Sequence, residues 1–182
     1  MKHLFIIAFI VVALVQWFIP LNMIRRQEAV IEKGKAFKFL TQPVDPIDPL
    51  RGRYIFLSFK ADNIVLPGRS FERGQQVYAT VGNGADGYAV LTGLSEEPPA
   101  TGNDYLKVNI RYSTYNDSVV YVTLPFEEFY MDESKAPRAE TLYRASSTLE
   151  NKTTYALVKI YRGEAVIRDV YVDNKPIATY LR

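Results

Sequence analysis

Two residue types that often carry chemistry are missing or nearly missing from this sequence. It has no cysteine, and its one histidine is His3. Without cysteine the chain can form neither a disulfide framework nor a zinc–cysteine site, and it has no catalytic thiol. Without a histidine in the folded part, a Ser-His-Asp triad, histidine-dependent proton transfer and the common zinc sites are excluded there. We therefore predict neither a metal nor a cofactor.

The chain also lacks a large excess of charge of either sign. Its formal net charge is +2, from 22 basic and 20 acidic residues. Three of the basic residues, Lys2, Arg25 and Arg26, flank an apolar segment, and without them 19 basic residues face 20 acidic ones, a net charge of −1. A domain this close to neutral does not attract polyanions, so we predict no nucleic-acid partner.

One long apolar run is present. Residues 4–21, LFIIAFIVVALVQWFIPL, are uncharged and contain a single strongly polar side chain. About 18–20 such residues are enough for a helix to cross the hydrocarbon core of a bilayer. Trp17 near the far end, with Arg25 and Arg26 beyond it, is typical of a membrane interface. We predict a transmembrane anchor over residues 1–24, with the lipid bilayer as its partner.

A cleaved signal peptide is the competing interpretation of this run. A signal peptide has a shorter apolar stretch, followed by small residues at the cleavage spacing. Residues 19–24, IPLNMI, contain no such pair, which favours an uncleaved anchor. The orientation stays open on charge alone, because Lys2 and the amino terminus compete with Arg25 and Arg26.

Residues 25–42 predict a stalk between the anchor and the domain. Their polar and charged residues suit a helix that continues out of the membrane, and Gly34 weakens that helix midway. The pattern after Gly34 suits an extended connection. Because the segment lacks Gly/Ser-rich composition, we predict a stiff stalk rather than a flexible linker.

A proline-rich turn leads into the predicted β-rich domain, residues 43–182. Each proline fixes its own φ and pushes the preceding residue toward extended geometry, so this segment is stiff and non-helical. The aspartates suit local pairing with the arginines that follow, and the alternative is an arginine site for a small anion or a partner's carboxylate. The residues of this lead-in turn are Pro43, Asp45, Pro46, Asp48, Pro49 and Arg51, followed by Gly52 and Arg53.

The first strand of the domain follows over residues 54–59, YIFLSF. Aromatic and β-branched residues favour a strand, and a strand that is apolar on both faces is usually buried in the middle of a sheet. Residues 52–59 resemble the GDYXXLXY signature of a family of bacterial membrane-anchored proteins. Gly52, Tyr54 and Leu57 match the signature, whereas Arg53 replaces its aspartate and Phe59 its last tyrosine. The resemblance implies an N-terminal membrane helix, with the amino terminus inside and one extracytoplasmic domain, in the periplasm or outside the cell.

The rest of the domain is dominated by short strands and turns. Strands are predicted over 75–81, 88–94, 105–112, 119–124, 153–161 and 164–172, and one short helix over 138–147. The glycines of residues 82–87 suit a hairpin turn and not a phosphate loop, because a strand follows them instead of a helix. The fold class is therefore mainly β, a sandwich or a barrel-like arrangement.

An internal similarity links two of these hairpins. Residues 77–81 followed by 87–94 resemble residues 154–158 followed by 163–170: each has a Tyr-Ala pair on the first strand and Gly-x-Ala-Val-aliphatic on the second. This pattern indicates two related β-units, and chance similarity between two amphipathic hairpins is the alternative.

Several residues are candidates for catalytic or binding groups. A Ser-Lys hydrolase would draw on Ser58, Ser70 or Ser113 with Lys60 or Lys107, but it needs a buried lysine, and no motif accompanies these serines. Two groups of carboxylates are candidates for glycoside hydrolysis or a calcium site: Asp45 with Asp48, and those at residues 127–133. Turn chemistry is the preferred interpretation of the first group and a solvated loop that of the second. Most of the tyrosines are expected in the core or in cross-strand pairs, and Tyr112 and Tyr115, near a turn, are expected to be exposed.

These observations predict a non-catalytic, membrane-anchored accessory or scaffolding subunit of an envelope complex, with integral membrane proteins as partners. The alternatives are an extracytoplasmic ligand-binding sensor domain and the Ser-Lys hydrolase. An apolar surface patch would favour the first function, a pocket with aromatic walls and a few polar groups the second, and a buried serine–lysine contact the third. Whether a small ligand binds stays open.

Overall fold

The computed structural model describes residues 2–42, 54–100, 104–114, 119–130, 136–147 and 153–181. The predicted lead-in turn and the first two residues of the signature lie outside the described residues. They are Pro43, Asp45, Pro46, Asp48, Pro49, Arg51, Gly52 and Arg53.

The described chain consists of one long helix, a second short helix and twelve strands. The helices are α1 (Lys2–Lys33) and α2 (Ala136–Ser147). The strands are β1 (Lys35–Gln42), β2 (Tyr54–Phe56), β3 (Ser58–Phe59), β4 (Asn63–Val65), β5 (Gln76–Asn83), β6 (Ala89–Ser95), β7 (Tyr105–Ser113), β8 (Val119–Thr123), β9 (Glu128–Tyr130), β10 (Thr154–Tyr161), β11 (Glu164–Val172) and β12 (Lys175–Pro176), followed by a 3₁₀ turn over Ile177–Leu181. The predicted class, mainly β with one short helix after an apolar N-terminal helix, is confirmed.

Helix α1 is apolar and exposed along most of its length, and it is long enough to cross a membrane. Its last two turns contact β10 and β11, where Val30 is buried. The helix ends at Lys33, and the amide of Gly34 donates a hydrogen bond to the carbonyl of Val30 (2.9 Å). A single residue, Gly34, separates the end of the helix from the start of β1.

The first sheet has the order β12-β11-β10-β1-β3. Strand β1 lies between β10 and β3, and Phe37, Phe39 and Thr41 on its inner face are buried. The predicted stalk over residues 25–42 therefore has to be corrected. Residues 35–42 belong to the domain, because the alternation of apolar residues after Gly34 buries one face of a paired strand.

The predicted central strand over residues 54–59 is wrong. The chain breaks at Leu57, whose amide donates to the carbonyl of Glu127 (2.7 Å). Strand β2, before the break, pairs with β9 in a separate two-stranded sheet, and β3, after it, forms an edge of the first sheet. Both faces are apolar because the segment passes between sheets: Leu57 and Phe59 enter the core, while Phe56 is 40% exposed.

The second sheet has the order β4-β8-β7-β5-β6, and its two edge strands, β4 and β6, contact each other, so that the sheet nearly closes into a barrel. The strand predicted over residues 105–112 is confirmed as β7, and its alternate residues Leu106, Val108 and Ile110 are buried. The core is shared between the two sheets. Three rings in its middle, Phe39, Phe59 and Phe126, pack edge to face with centroids 5.0–5.9 Å apart.

The two similar hairpins lie one in each sheet, and each contains one bulge. The register shifts after Thr80 in the β5–β6 hairpin and after Leu157 in the β10–β11 hairpin. These two residues occupy equivalent positions in the internal similarity. Because a bulge needs one unpaired residue at a defined place, its recurrence at the same position supports the interpretation of two related β-units.

Candidate functional site

The described part of the family signature borders a cavity of about 310 Å³ on the side of the domain. Leu57 and Phe59 form its apolar floor, and the exposed ring of Phe56 stands at its edge. Three charged side chains complete the wall. We call this cavity the signature pocket; its lining residues are Phe56, Leu57, Ser58, Phe59, Asp62, Arg111, Thr123, Leu124 and Glu127.

The guanidinium of Arg111 bridges two carboxylates in the signature pocket. Its Nη1 lies 3.4 Å from Oδ2 of Asp62, and its Nη2 lies 3.6 Å from Oε1 of Glu127. Arg111 is the extra residue of a bulge, since the pairing of β7 with β8 shifts register between Ile110 and Tyr112. A bulge redirects a side chain out of the regular alternation, and here it brings the arginine to the pocket.

The two carboxylates are held differently. Asp62 is only 8% exposed; its Oδ1 accepts a hydrogen bond from the side-chain amide of Asn63 (3.0 Å), and its main-chain carbonyl accepts one from the amide of Val122 (2.8 Å). Glu127 is half-buried. Burial raises the pKa of the Glu127 carboxyl, Arg111 opposes that increase, and the charges of Asp62 and Glu128 add to it.

The charges of the signature pocket do not cancel, because one arginine faces two carboxylates. The pocket therefore offers an apolar floor, a guanidinium that can donate and a carboxylate that can accept. Such a combination suits a single side chain of a protein partner or a small polar ligand. No group of three or more histidine, cysteine or acidic residues in the described part of the chain is arranged to hold a metal ion.

An exposed apolar surface adjoins the pocket on the outer face of the second sheet. Tyr112 and Tyr121 stack with their centroids 4.5 Å apart, and Val65 pairs with Val119 on the neighbouring strands. Val65 is 64% exposed and Tyr112 is 48% exposed. We call these four residues the aromatic patch. The expectation that Tyr112 is exposed is confirmed, and Tyr115 lies outside the described residues.

A second cavity, of about 560 Å³, lies between the end of α1 and the domain. Its wall combines Gln27 of α1, the strand β9 with the residues before it, and part of β11. Tyr130 on this wall donates a hydrogen bond from its hydroxyl to Oε2 of Glu128. We call it the helix-side cavity; it is lined by Gln27, Leu124, Pro125, Phe126, Glu127, Glu128, Phe129, Tyr130, Ala165, Val166 and Ile167.

The structure separates the other predicted site residues. Trp17, Arg25 and Arg26 are exposed on α1. Tyr54 lies on β2, opposite Tyr130 in the register of the two-stranded sheet.

The serines and lysines of the proposed dyad do not meet. The hydroxyl of Ser58 accepts a hydrogen bond from the side-chain amide of Gln42 (2.8 Å), and the hydroxyl of Ser113 is buried without a hydrogen-bond partner among the described residues. Lys60 and Lys107 are exposed. The structure thus offers no buried lysine at these positions to activate a serine.

Sequence reasoning missed the central residues of the signature pocket. No motif in the sequence singles out Asp62 or Arg111, and Glu127 is expected in a solvated loop. The last interpretation needs correction, because Glu127 is half-buried and faces Arg111. Arg111 reaches the pocket because the pairing of β7 with β8 shifts register, and the sequence of one strand does not reveal its register with another.

The family model described as GDYXXLXY protein matches residues 16–170. No match was found among curated proteins or among solved structures. The matched span begins within α1 and ends in β11, and it includes the second sheet, most of the first sheet and every described residue that lines the two cavities. The resemblance seen in residues 52–59 is confirmed, and the chain belongs to the GDYXXLXY protein family.

Proposed function

We propose that this protein is a non-catalytic accessory or scaffolding subunit of a bacterial envelope complex. In this proposal α1 is a single-pass anchor in the cytoplasmic membrane, with the amino terminus inside and the β-rich domain in the periplasm or outside the cell. The domain and the helix both engage integral membrane partners.

The surface of α1 supports the anchor. Its large apolar side chains are exposed on every side over residues 5–24, and no face of that stretch is covered by the domain. A helix that is apolar all round suits a lipid environment, whereas a helix on the surface of a soluble domain carries one apolar stripe. Twenty such residues span about 30 Å, the thickness of the hydrocarbon core.

The observation that carries the proposal is the junction between α1 and the domain. Only Gly34 separates the helix from β1. Val30 is buried against the first sheet, and the ammonium group of Lys159 donates a hydrogen bond to the carbonyl of Gly34 (2.9 Å). The domain is therefore held at a fixed height and angle relative to the helix. This geometry suits a subunit that presents one surface to a membrane-embedded partner.

The aromatic patch, with Arg111 beside it, is the docking surface in this proposal. Tyrosine and arginine are enriched among the residues that dominate the binding energy of protein interfaces. Tyr112 directly follows Arg111 in β7, so the tyrosine stack lies next to the opening of the signature pocket. A partner that covers the stack can place one side chain in the pocket.

The test is co-purification of the full-length protein from native membranes in mild detergent, with partners identified by mass spectrometry after cross-linking. We expect a stoichiometric partner that is lost when α1 is removed. Tyr112→Lys should lower its recovery about tenfold or more, because loss of one central interface residue costs at least 1–2 kcal/mol. The control is Val90→Lys on β6, which lies outside the aromatic patch and is also partly exposed. Purification without any partner, or equal losses in both variants, would contradict the proposal.

An extracytoplasmic ligand-binding sensor is the second candidate, and the signature pocket favours it. The pocket combines aromatic walls with convergent polar groups, as small-molecule sites do. A ligand present at about 100 times its Kd would stabilise the protein by about 2.7 kcal/mol, which a thermal-shift screen detects. A ligand that raises Tm in the wild type but not in Arg111→Gln, in a protein that purifies alone, would favour the sensor over the scaffold.

A further inference from the structure

The helix-side cavity opens at a definable depth if α1 spans a bilayer, as proposed above. Twenty residues counted from Leu4 end at Met23, and they cross a hydrocarbon core of about 30 Å. The headgroup layer adds about 5–7 Å on each side. Gln27 comes four residues after Met23, about 6 Å further along the helix. Since Gln27 lines the cavity, the cavity borders the headgroup layer.

The wall of this cavity has the chemistry of an ammonium site. It combines the carboxylate of Glu128 with the rings of Phe129 and Tyr130. Glu127 also lines it, but Arg111 already pairs with that carboxylate, whereas the carboxylate of Glu128 accepts a hydrogen bond from the neutral hydroxyl of Tyr130. Carboxylates accept hydrogen bonds from an ammonium group, and aromatic rings attract cations. Its described lining residues include no lysine or arginine.

A residue that can bind phosphate, Arg26, directly precedes Gln27 on α1. At about 100° per residue, Arg26 is offset by roughly 40° from Val30, whereas Arg25 is offset by roughly 140°. Val30 packs against the domain, so Arg26 projects toward the domain and Arg25 away from it. Arginine binds phosphate through several N–H groups at once.

We propose that the helix-side cavity binds the headgroup of a phospholipid with a terminal primary ammonium. Arg26 holds the phosphate, and Glu128 with the ring of Tyr130 holds the ammonium. A primary ammonium has three N–H donors for a carboxylate, which a quaternary ammonium lacks. The bound lipid gives the domain a second contact with the membrane, beside the helix. This proposal rests on α1 being the anchor.

The first experiment measures which lipids remain bound. Full-length protein is reconstituted in nanodiscs with equal parts of phosphatidylethanolamine, phosphatidylcholine and phosphatidylglycerol, released into mild detergent and analysed by native mass spectrometry. We expect one retained phosphatidylethanolamine per chain, and about tenfold less retention in Arg26→Gln and in Glu128→Gln. The matched control is Arg25→Gln, which should retain lipid like the wild type. Retention in bilayer proportions, or equal losses in the Arg25 and Arg26 variants, would overturn the site.

The second experiment asks what occupies the cavity in native membranes. A photo-crosslinking amino acid replaces Tyr130, and Val90 serves as the exposed control position. We expect an adduct of phospholipid mass at position 130 and none at position 90. An adduct with another protein at position 130 would overturn the lipid proposal and identify the cavity as a protein interface.

Failure of the lipid site can be distinguished from failure of the proposed function. Release of the full-length protein from membranes by an alkaline carbonate wash would overturn the anchor and the lipid site together. A protein that resists the wash, purifies with its partner and retains lipids without headgroup preference would overturn the lipid site alone.

Discussion

Replacing Gly34 by alanine tests the rigid junction between α1 and the domain. A Cβ atom at this position would lie 2.2 Å from the carbonyl oxygen of Val30, 3.1 Å from that of Ile160 and 3.2 Å from the amide nitrogen of Ile160. All three are main-chain atoms, so no side-chain rotation makes room. The end of the helix has to move away from β10.

The magnitude follows from the contacts that this movement removes. The hydrogen bond from Gly34 to Val30 contributes about 1 kcal/mol, and the charge-assisted bond from Lys159 to the carbonyl of Gly34 about 1.5 kcal/mol. Partial exposure of Val30 adds about 1 kcal/mol. The lower entropy of the unfolded alanine chain offsets about 0.5 kcal/mol. We therefore expect Gly34→Ala to lower the free energy of unfolding by about 3 kcal/mol, which corresponds to a decrease in Tm of roughly 6–12 °C for a domain of this size.

The assay is thermal unfolding of the full-length protein in detergent, followed by circular dichroism of the β-structure. The matched control is Gly93→Ala on β6, because a Cβ atom there would meet only the hydroxyl of Thr80 at 3.9 Å. The free energy of unfolding of the control should stay within about 1 kcal/mol of the wild-type value. If Gly34→Ala unfolds at the same temperature as the control, the junction is free to rearrange. The fixed height of the domain then loses its physical basis.

Three further predictions concern the domain. Burial raises the pKa of Tyr143 to about 12, so this tyrosine deprotonates more easily in the unfolded chain. The free energy of unfolding should therefore be constant below pH 10 and fall by roughly 2–3 kcal/mol between pH 10 and 12. Urea titrations should show a smaller loss in Tyr143→Phe. Arg111→Gln leaves the nearly buried Asp62 without its cation and should lower the free energy of unfolding by about 1–3 kcal/mol at pH 7. In the same titrations, Gly163→Ala should lower the free energy of unfolding by about 2–3 kcal/mol. The φ angle of Gly163 is +84°, and a Cβ atom there would lie 2.8 Å from the ring of Tyr105.

Each of these predictions has a contradicting result. If the wild type and Tyr143→Phe lose the same free energy of unfolding above pH 10, the loss comes from other tyrosines. An Arg111→Gln protein with unchanged stability at pH 7 would show that solvent screens Asp62 sufficiently. For Gly163 the control is Gly68→Ala, where φ is +77° but nothing lies within 4 Å of the Cβ atom. Equal costs at both glycines would mean that the contact with Tyr105 contributes nothing.

Features set by near neighbours were predictable from the sequence. The alternation along β7, the glycine turns of the two hairpins and the helical spacing in α2 all reflect interactions between residues a few positions apart. The same holds for the apolar run in α1, whose composition alone predicts that it does not need the domain to cover it. Even the matching bulges have a trace in the sequence, because the two hairpins share their pattern residue by residue.

Features set by distant neighbours were not predictable. Strand β1 enters the first sheet because it pairs with β10, more than 100 residues later in the chain, and its own sequence does not distinguish that strand from a stalk. Residues 54–59 form two strands because Leu57 pairs with Glu127, a partner that local β-propensity does not reveal.

The same division applies to the candidate site. The sequence alone determined the family signature, the apolar helix and the β-rich class, since each depends on residue type and short-range order. The tertiary structure alone decided that Asp62, Arg111 and Glu127 meet beside that signature. Their meeting depends on one register shift in β7 and on the path of the chain between two sheets. Both result from packing over the whole domain, which no local pattern specifies.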